Sequence, residues 1–270
     1  MSASRFAPAV LLSAAAACAA AGQTAQPANP PAPGFDAAGS DPRAIQIADA
    51  VMEKLGGRAA WDSTRYVAWT FAGRRHHLWD RATGRLRLEG PGPRSGKPYV
   101  MLLDVNSGEG RAWREGQEVT DPQELGTMLK AGRSGWINDS YWLLMPYKLK
   151  DTGVTLRDLG EGRTEEGGAA DVLELTFKDV GDTPRNKYHV WVARESGLVE
   201  QWAFYNDRDD AQPGFTCPWK GWKRCGRVML SGDRGEIGGR HMELTDIAVF
   251  DELPASYFES PDPIDWKALP

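Results

Sequence analysis

Histidine and cysteine are scarce in this chain of 270 residues, and positive charge is outnumbered by negative. Four His in no H-E-x-x-H arrangement give no zinc-protease signature, and no G-x-S-x-G elbow is present. Lys and Arg number 32 against 37 Asp and Glu, a net charge of -5. That balance argues against nucleic acid as a partner, and no basic stripe offsets it. Beyond the N-terminal segment no apolar run reaches the ~20 residues that a membrane-spanning helix needs. What the chain does carry is tryptophan, eleven in all, in a composition that is 41% hydrophobic. Trp favours interfaces and ligand pockets.

The N-terminus reads as a targeting segment. MSASR carries one positive charge, and FAPAVLLSAAAA (6–17) is an apolar run too short to span a bilayer. Residues 1–21 are expected to be removed on export. Two cleavage types are open. Cys18 closes AAAC, which resembles a bacterial lipobox with Ala15 where Leu is usual, making Cys18 the lipidated residue. The other type cuts after Ala19-Ala20-Ala21. Residues 22–40, rich in Ala, Pro and Gly, read as a flexible linker. Export to an oxidising compartment would join the remaining cysteines, Cys217 and Cys225 in CPWKGWKRC. Two Cys without a nearby third ligand make a poor zinc set, so no metal and no other cofactor is expected.

A folded domain is expected over 41–270. SDPRAIQIADAVMEKLGG predicts an amphipathic helix with Asp41 as cap, Pro42 in the first turn and Gly56-Gly57 as stop. RYVAWTF places Val67, Trp69 and Phe71 on one strand face. Hairpins follow in HHLWDRATGRLRLEG and PYVMLLDVNSGEGRAWREG. DPQELGTMLKA predicts a helix capped by Asp121 that Gly132 and Gly135 break. VTLRDLGEG and ADVLELTFKDV are strands, KYHVWVARESGLVEQWAFYN is a hairpin, and another spans 226–253. Met242, Leu244, Ala248 and Phe250 share a face there, interrupted by Asp246, and a Pro-rich surface tail follows. The count is about eleven strands with two or three helices. Hairpin-joined strands imply a mainly β (α+β) fold with one curved antiparallel sheet, helices covering its concave face.

The stretch SGWINDSYWLLMPYKL (134–149) holds two Trp, two Tyr, three Leu, one Ile and one Met. As a helix it is apolar nearly all round, with Asn138, Asp139 and Ser140 as a small polar edge, so it must be covered on several sides. Two explanations stand: plain core, or a helix closing an apolar cavity. In the second, Trp136, Tyr141, Trp142 and Leu144 face a ligand. Trp69, Phe71, Leu175, Phe177, Trp191, Trp202 and Phe204 supply the facing walls. An acyl chain loses about 0.8 kcal/mol per CH₂ on leaving a membrane, which such walls can restore.

LGGRAAWDSTRYVAWTFAGRRHHLWDRATGRLRLE, NDSYWLLMPYKLKDTGVTL and YHVWVARESGLVEQWAFY resemble segments of a family of uncharacterised bacterial envelope proteins. The order of elements is similar to the LolA/LolB-like lipoprotein carriers. That resemblance implies an unclosed half-barrel with a helical lid over a hydrophobic cavity. It implies a periplasmic or outer-membrane-anchored protein that noncovalently binds a lipid, a lipoprotein acyl chain or another hydrophobic molecule. The alternative from the residues is a protein-binding envelope module, with Trp219 and Trp222 in a stapled loop as docking tip and exposed sheet edges for strand pairing.

A hydrolase fares worse. His76 and His77 are adjacent on a strand and point to opposite faces, so they cannot share a metal. His189 and His241 stand in separate strands. Carboxylates such as Glu243 or Asp246 are within their reach, a pairing that is most often ordinary polar burial. The chain reads as a binding protein rather than an enzyme, with contact to a membrane only through an anchor at Cys18.

Overall fold

The computed structural model describes residues 28–92, 96–178 and 180–269. The leader, Cys18 and its two cleavage types lie outside the described residues. In chain order the elements begin with α1 (Pro42–Lys54), α2 (Arg58–Ser63), β1 (Tyr66–Phe71), β2 (Arg75–Asp80) and β3 (Arg85–Pro91). Next come β4 (Pro98–Asp104), β5 (Gly110–Arg114), β6 (Gln117–Glu118) and α3 (Pro122–Leu144). β7 (Val154–Arg163), β8 (Ala169–Phe177), β9 (Lys187–Ala193) and β10 (Val199–Tyr205) follow, then β11 (Phe215–Pro218), β12 (Lys220–Cys225), β13 (Val228–Ile237) and β14 (Arg240–Phe250).

The strands form two antiparallel sheets rather than one. The larger has nine strands in the order β12-β13-β14-β1-β2-β3-β4-β5-β6, the smaller five in the order β11-β10-β9-β8-β7. The three strands beyond the expected eleven are β6, β11 and β12, all at sheet edges. β11 and β12 belong to one run of chain bent at Trp219. The Trp219 amide still donates to Glu200 O of β10, while Lys220 already pairs with Asp233 of β13. The chain thereby passes from one sheet into the other. Among the described residues no ladder joins β6 to β7, so the ring of strands is open.

This run overturns the stapled-loop expectation. Cys217 and Cys225 are free thiols. Cys217 lies in β11, opposite Trp202 of β10, and Cys225 ends β12, opposite Val228 of β13. An extended six-residue strand covers about 16–20 Å, whereas bridged Cα atoms sit within about 7 Å. Burial pushes the Cys217 thiol up to about 12.

Helix α1 forms where expected, and Ala44, Ala48, Val51 and Met52 are its buried residues. Its capping differs. The Asp41 side chain makes no cap bond; it accepts instead from Arg157 Nη1 and the Asp158 amide, both at 3.0 Å. The linker expectation fails from Asn29 onward. Asn29 is buried, its Nδ2 donates to Glu53 Oε1 at 2.6 Å, and its Oδ1 accepts from the Arg58 amide. The amides of Ala32 and Asp36 donate to Lys150 O and Val154 O, each at 3.0 Å.

Helix α3 opens as expected, with Asp121 Oδ1 accepting from the Glu124 amide at 2.8 Å. It then runs unbroken for 23 residues through Gly132 and Gly135. A Cβ on Gly132 would stand 2.8 Å from Met101 Sδ. The glycine lets the helix approach β4 instead of ending it. Beneath this half, Leu86, Leu88, Met101, Leu103 and Leu129 form one apolar cluster. The larger core joins α1, the end of α3 and both sheets through residues such as Val51, Leu144, Val67 and Val190.

In β14 a bulge changes which residues face inward. Asp246 adopts φ 52° where the register with β1 slips. Leu244 packs in the core before it, while Ile247 and Val249 pack there after it. Phe250 joins Tyr66, Ala68 and Leu78 on the outer face, so the expected four-residue stripe does not hold. The tail covers that outer face. Phe258 packs on it, and fully buried Arg87 donates to the carbonyls of Tyr257 and Ser260.

Candidate functional site

Beyond Gly135, the chain presents bulky side chains on every face of α3 and must divide them among different neighbours. Leu143, Leu144 and Met145 go into closed core. The expected polar edge turns inward as an anchor. Asp139 is fully buried and accepts from Arg75 Nε and Nη2, each at 2.6 Å. His77 Nε2 lies 2.8 Å from the same carboxylate, and its ring stacks on Trp69 with centroids 4.3 Å apart. Partners on β2 thus fix the rotation of α3. Burial pushes the Asp139 carboxyl up, but the hydrogen bonds from His77 and Arg75 and the charge beside it together hold it below its ordinary value. Burial holds His77 below its own, against the opposing pull of Asp139.

That rotation packs Tyr141 and Trp142 against the second sheet, where they line an open cleft of about 520 Å³. Six of the eleven residues expected at a ligand site line it: Trp136, Tyr141, Trp142, Phe177, Trp202 and Phe204. Trp142 stands edge-on to Trp202 at 4.8 Å and stacked on Phe215 at 5.5 Å. Tyr141 lies 5.2 Å from Tyr188, which is itself edge-on to Trp202 at the same separation. Trp136, also a lining residue, packs edge-on against Trp79 at 5.1 Å.

The other five stand elsewhere. Trp69, Leu144 and Leu175 are fully buried in the core. Phe71 is buried beside Trp142, edge-on at 6.2 Å, without lining the cleft. Trp191 is on the wrong face of β9. It pairs across to Gln201, while Tyr188 and Val190 of the same strand share a face with Phe204 and Trp202. Alternation sets which residues go together but not which set faces in.

Tyr188, Ile137 and Phe215 line the cleft without being among the expected residues. For Tyr188 a signal exists, since Tyr188, Val190 and Val192 form the apolar alternation of β9. Phe215 has none, because nothing in its own segment announces β11.

Polar groups form the rim. Lys148 Nζ pairs with Asp151 Oδ2 at 2.7 Å, and Ser134 Oγ donates to Asp182 Oδ2 at 2.7 Å. Asn186 Nδ2 donates to Thr183 Oγ1 at 2.7 Å. Deeper in, Tyr141 Oη is shut from solvent and has no hydrogen-bond partner among the described residues. Burial raises its phenol well above the ordinary value, so it keeps its proton. Tyr147, by contrast, donates to Met229 O at 2.7 Å. An unsatisfied buried hydroxyl costs about 1–3 kcal/mol.

The remaining motifs are accounted for locally. Trp219 is fully buried beneath the Arg234 guanidinium at 3.5 Å, and the Trp222 indole donates to Val199 O at 3.0 Å. Neither forms a docking tip. His76 Nδ1 lies 2.7 Å from Thr70 Oγ1, which donates to Asp246 Oδ2 at 2.6 Å. His189 bridges Glu174 and Tyr205, and His241 lies near Asp233 and Glu236. Among the described residues no group of three or more His, Cys, Asp or Glu is placed to hold a metal. Among them, too, no helix is long and apolar enough to cross a membrane.

No family model and no curated protein matches the chain. Among solved structures it is similar to a DUF1329 family protein from Desulfovibrio piger, at 13% identity and TM-score 0.43, over 82% of this chain and 98% of that one. It is similar to an uncharacterized conserved protein from Thermus thermophilus, at 14% identity and TM-score 0.29, over 82% and 94%. It is also similar to the Pseudomonas aeruginosa MucA/MucB complex structure, at 15% identity and TM-score 0.24, over 61% and 53%. Likeness this distant carries no argument about function, which must come from the site.

Proposed function

We propose that this chain is an exported envelope protein that binds a hydrophobic or amphipathic molecule noncovalently in the cleft between α3 and β8–β11. One observation carries this reading: an open cleft of about 520 Å³ lined by aromatic side chains of both α3 and β8–β11. Ligand pockets are of this size and character, mostly apolar with a few placed polar groups. A core filled for stability alone interdigitates and leaves few voids larger than a water molecule. Export rests on the apolar run 6–17 and its small-residue end. The rival docking-loop reading has lost the two side chains on which it stood, Trp219 and Trp222.

The test is uptake of N-phenyl-1-naphthylamine, a neutral apolar dye that brightens when shielded from water. Binding should be saturable and weakened several-fold by Trp142→Ala or Phe204→Ala. Trp191→Ala, on the opposite face, should leave it unchanged. Equal uptake by all three variants would place the dye elsewhere and sink the reading.

A further inference from the structure

Among the residues that line the cleft, only Lys148, Asp151 and Asp182 carry a formal charge. They are not equivalent. Lys148 and Asp151 neutralise one another across 2.7 Å. Asp182 accepts the Ser134 hydroxyl and forms no ion pair among the described residues. Among the lining residues the uncompensated charge is therefore negative. Arg208 donates to Phe177 O and Pro184 O at either end of the loop that carries Asp182, but its guanidinium is not among the lining groups. Below the rim lie aromatic rings, whose faces carry negative quadrupole potential and attract cations. Asp182 is exposed at the rim, so its attraction acts through solvent and is screened by salt, whereas the rings below it are buried or half-buried.

On these grounds we infer that the occupant is an amphiphile with a cationic nitrogen head and an apolar body. This deepens the hydrophobic-binding reading above and rests on it. The head group sits at Asp182, within reach of Trp136, while the apolar body lies along Tyr141, Trp202 and Phe204. A fatty-acid anion is selected against, because its carboxylate would meet Asp182 and a lysine already committed to Asp151. Asn138, one helical turn from Ser134 on α3, offers the rim a neutral polar group that suits any head and so sets no charge preference.

The test compares three probes of equal chain length on the full protein at ~0.15 M salt. These are octyltrimethylammonium, octyl glucoside and octanoate, with affinities read by isothermal titration calorimetry. The expected order is ammonium, then glucoside, then octanoate, the ammonium binding on the order of tenfold tighter than octanoate. Asp182→Asn should shrink the gap between ammonium and glucoside to under about twofold. Octanoate binding as tightly as the ammonium overturns the inference, and so does a cation preference that survives Asp182→Asn. Binding of all three probes that Phe204→Ala leaves untouched, or binding of none, is a different failure. It removes the cleft as a ligand site and the head-group inference with it.

Discussion

Arg234 of β13 reaches the end of α3: its Nη2 lies 2.6 Å from the carbonyl oxygen of Trp142. The same guanidinium donates to the Ser231 and Asp233 carbonyls and covers the Trp219 ring, so a fully buried cation is held by backbone dipoles and a π face. This contact fixes the residue that forms the aromatic wall of the cleft.

Removing it should be costly. Arg234→Met keeps the volume but leaves three carbonyls without their charged donor. Hydrogen bonds to charged groups contribute about 1.5–3 kcal/mol each at most, and part is recovered by lost desolvation. A loss of about 3 kcal/mol is expected, near 6–12 °C in Tm for a domain of this size. Thermal unfolding followed by circular dichroism checks it. A change under about 2 °C would mean that Arg234 does not hold α3.

Trp142→Ala and Leu144→Ala should separate stability from binding. Leu144 is fully buried in the closed core, so its truncation should cost about 2–5 kcal/mol with ligand affinity intact in the folded fraction. Trp142 is half-buried at the cleft, and its loss should mainly weaken uptake. Denaturant titration alongside dye binding distinguishes the two. The reverse assignment would mean that the cleft wall is ordinary core.

The burial that depresses His77 has a signed consequence for pH. Its folded value is below its unfolded value of about 6.5, so the unfolded chain takes up the proton first. Stability is full above about pH 6.5 and falls as the pH drops toward the folded value. His77→Gln retains a donor toward Asp139 without titrating, and should flatten Tm between about pH 6.5 and 5. An unchanged pH slope in the variant would assign the loss to other groups.

Thiol chemistry tests the strand assignment of residues 215–225. Without reductant, iodoacetamide and peptide mapping should find Cys225 alkylated first and Cys217 only on unfolding. Cys225 is half-buried, whereas Cys217 is fully buried with its thiol raised to about 12. A non-reduced peptide that links the two would contradict the separate strands.

Much of the local structure is legible in the sequence because its causes are local. The α1 boundaries follow from Pro42 and Gly56-Gly57, and the alternation of Leu173, Leu175 and Phe177 gives β8. What escapes depends on partners distant in sequence. Gly132 reads as a helix breaker until Met101 is seen against it. The short edge strands β11 and β12 have little apolar alternation of their own and exist by pairing with β10 and β13. Trp191 is favoured by its size, but the face of β9 is chosen by Tyr188 and Val190 against Trp202. Asp139 reads as a solvent edge because its partners, Arg75 and His77, are more than 60 residues away.

The most direct test of the central claim is native mass spectrometry, with lipid extraction, of the mature protein purified gently from its own envelope. The cleft predicts a copurifying amphipathic molecule at one per chain, lost from the Trp142→Ala, Phe204→Ala double variant. A chain that arrives empty and takes up no apolar probe would contradict a ligand-binding role and return Trp142 and its neighbours to the core.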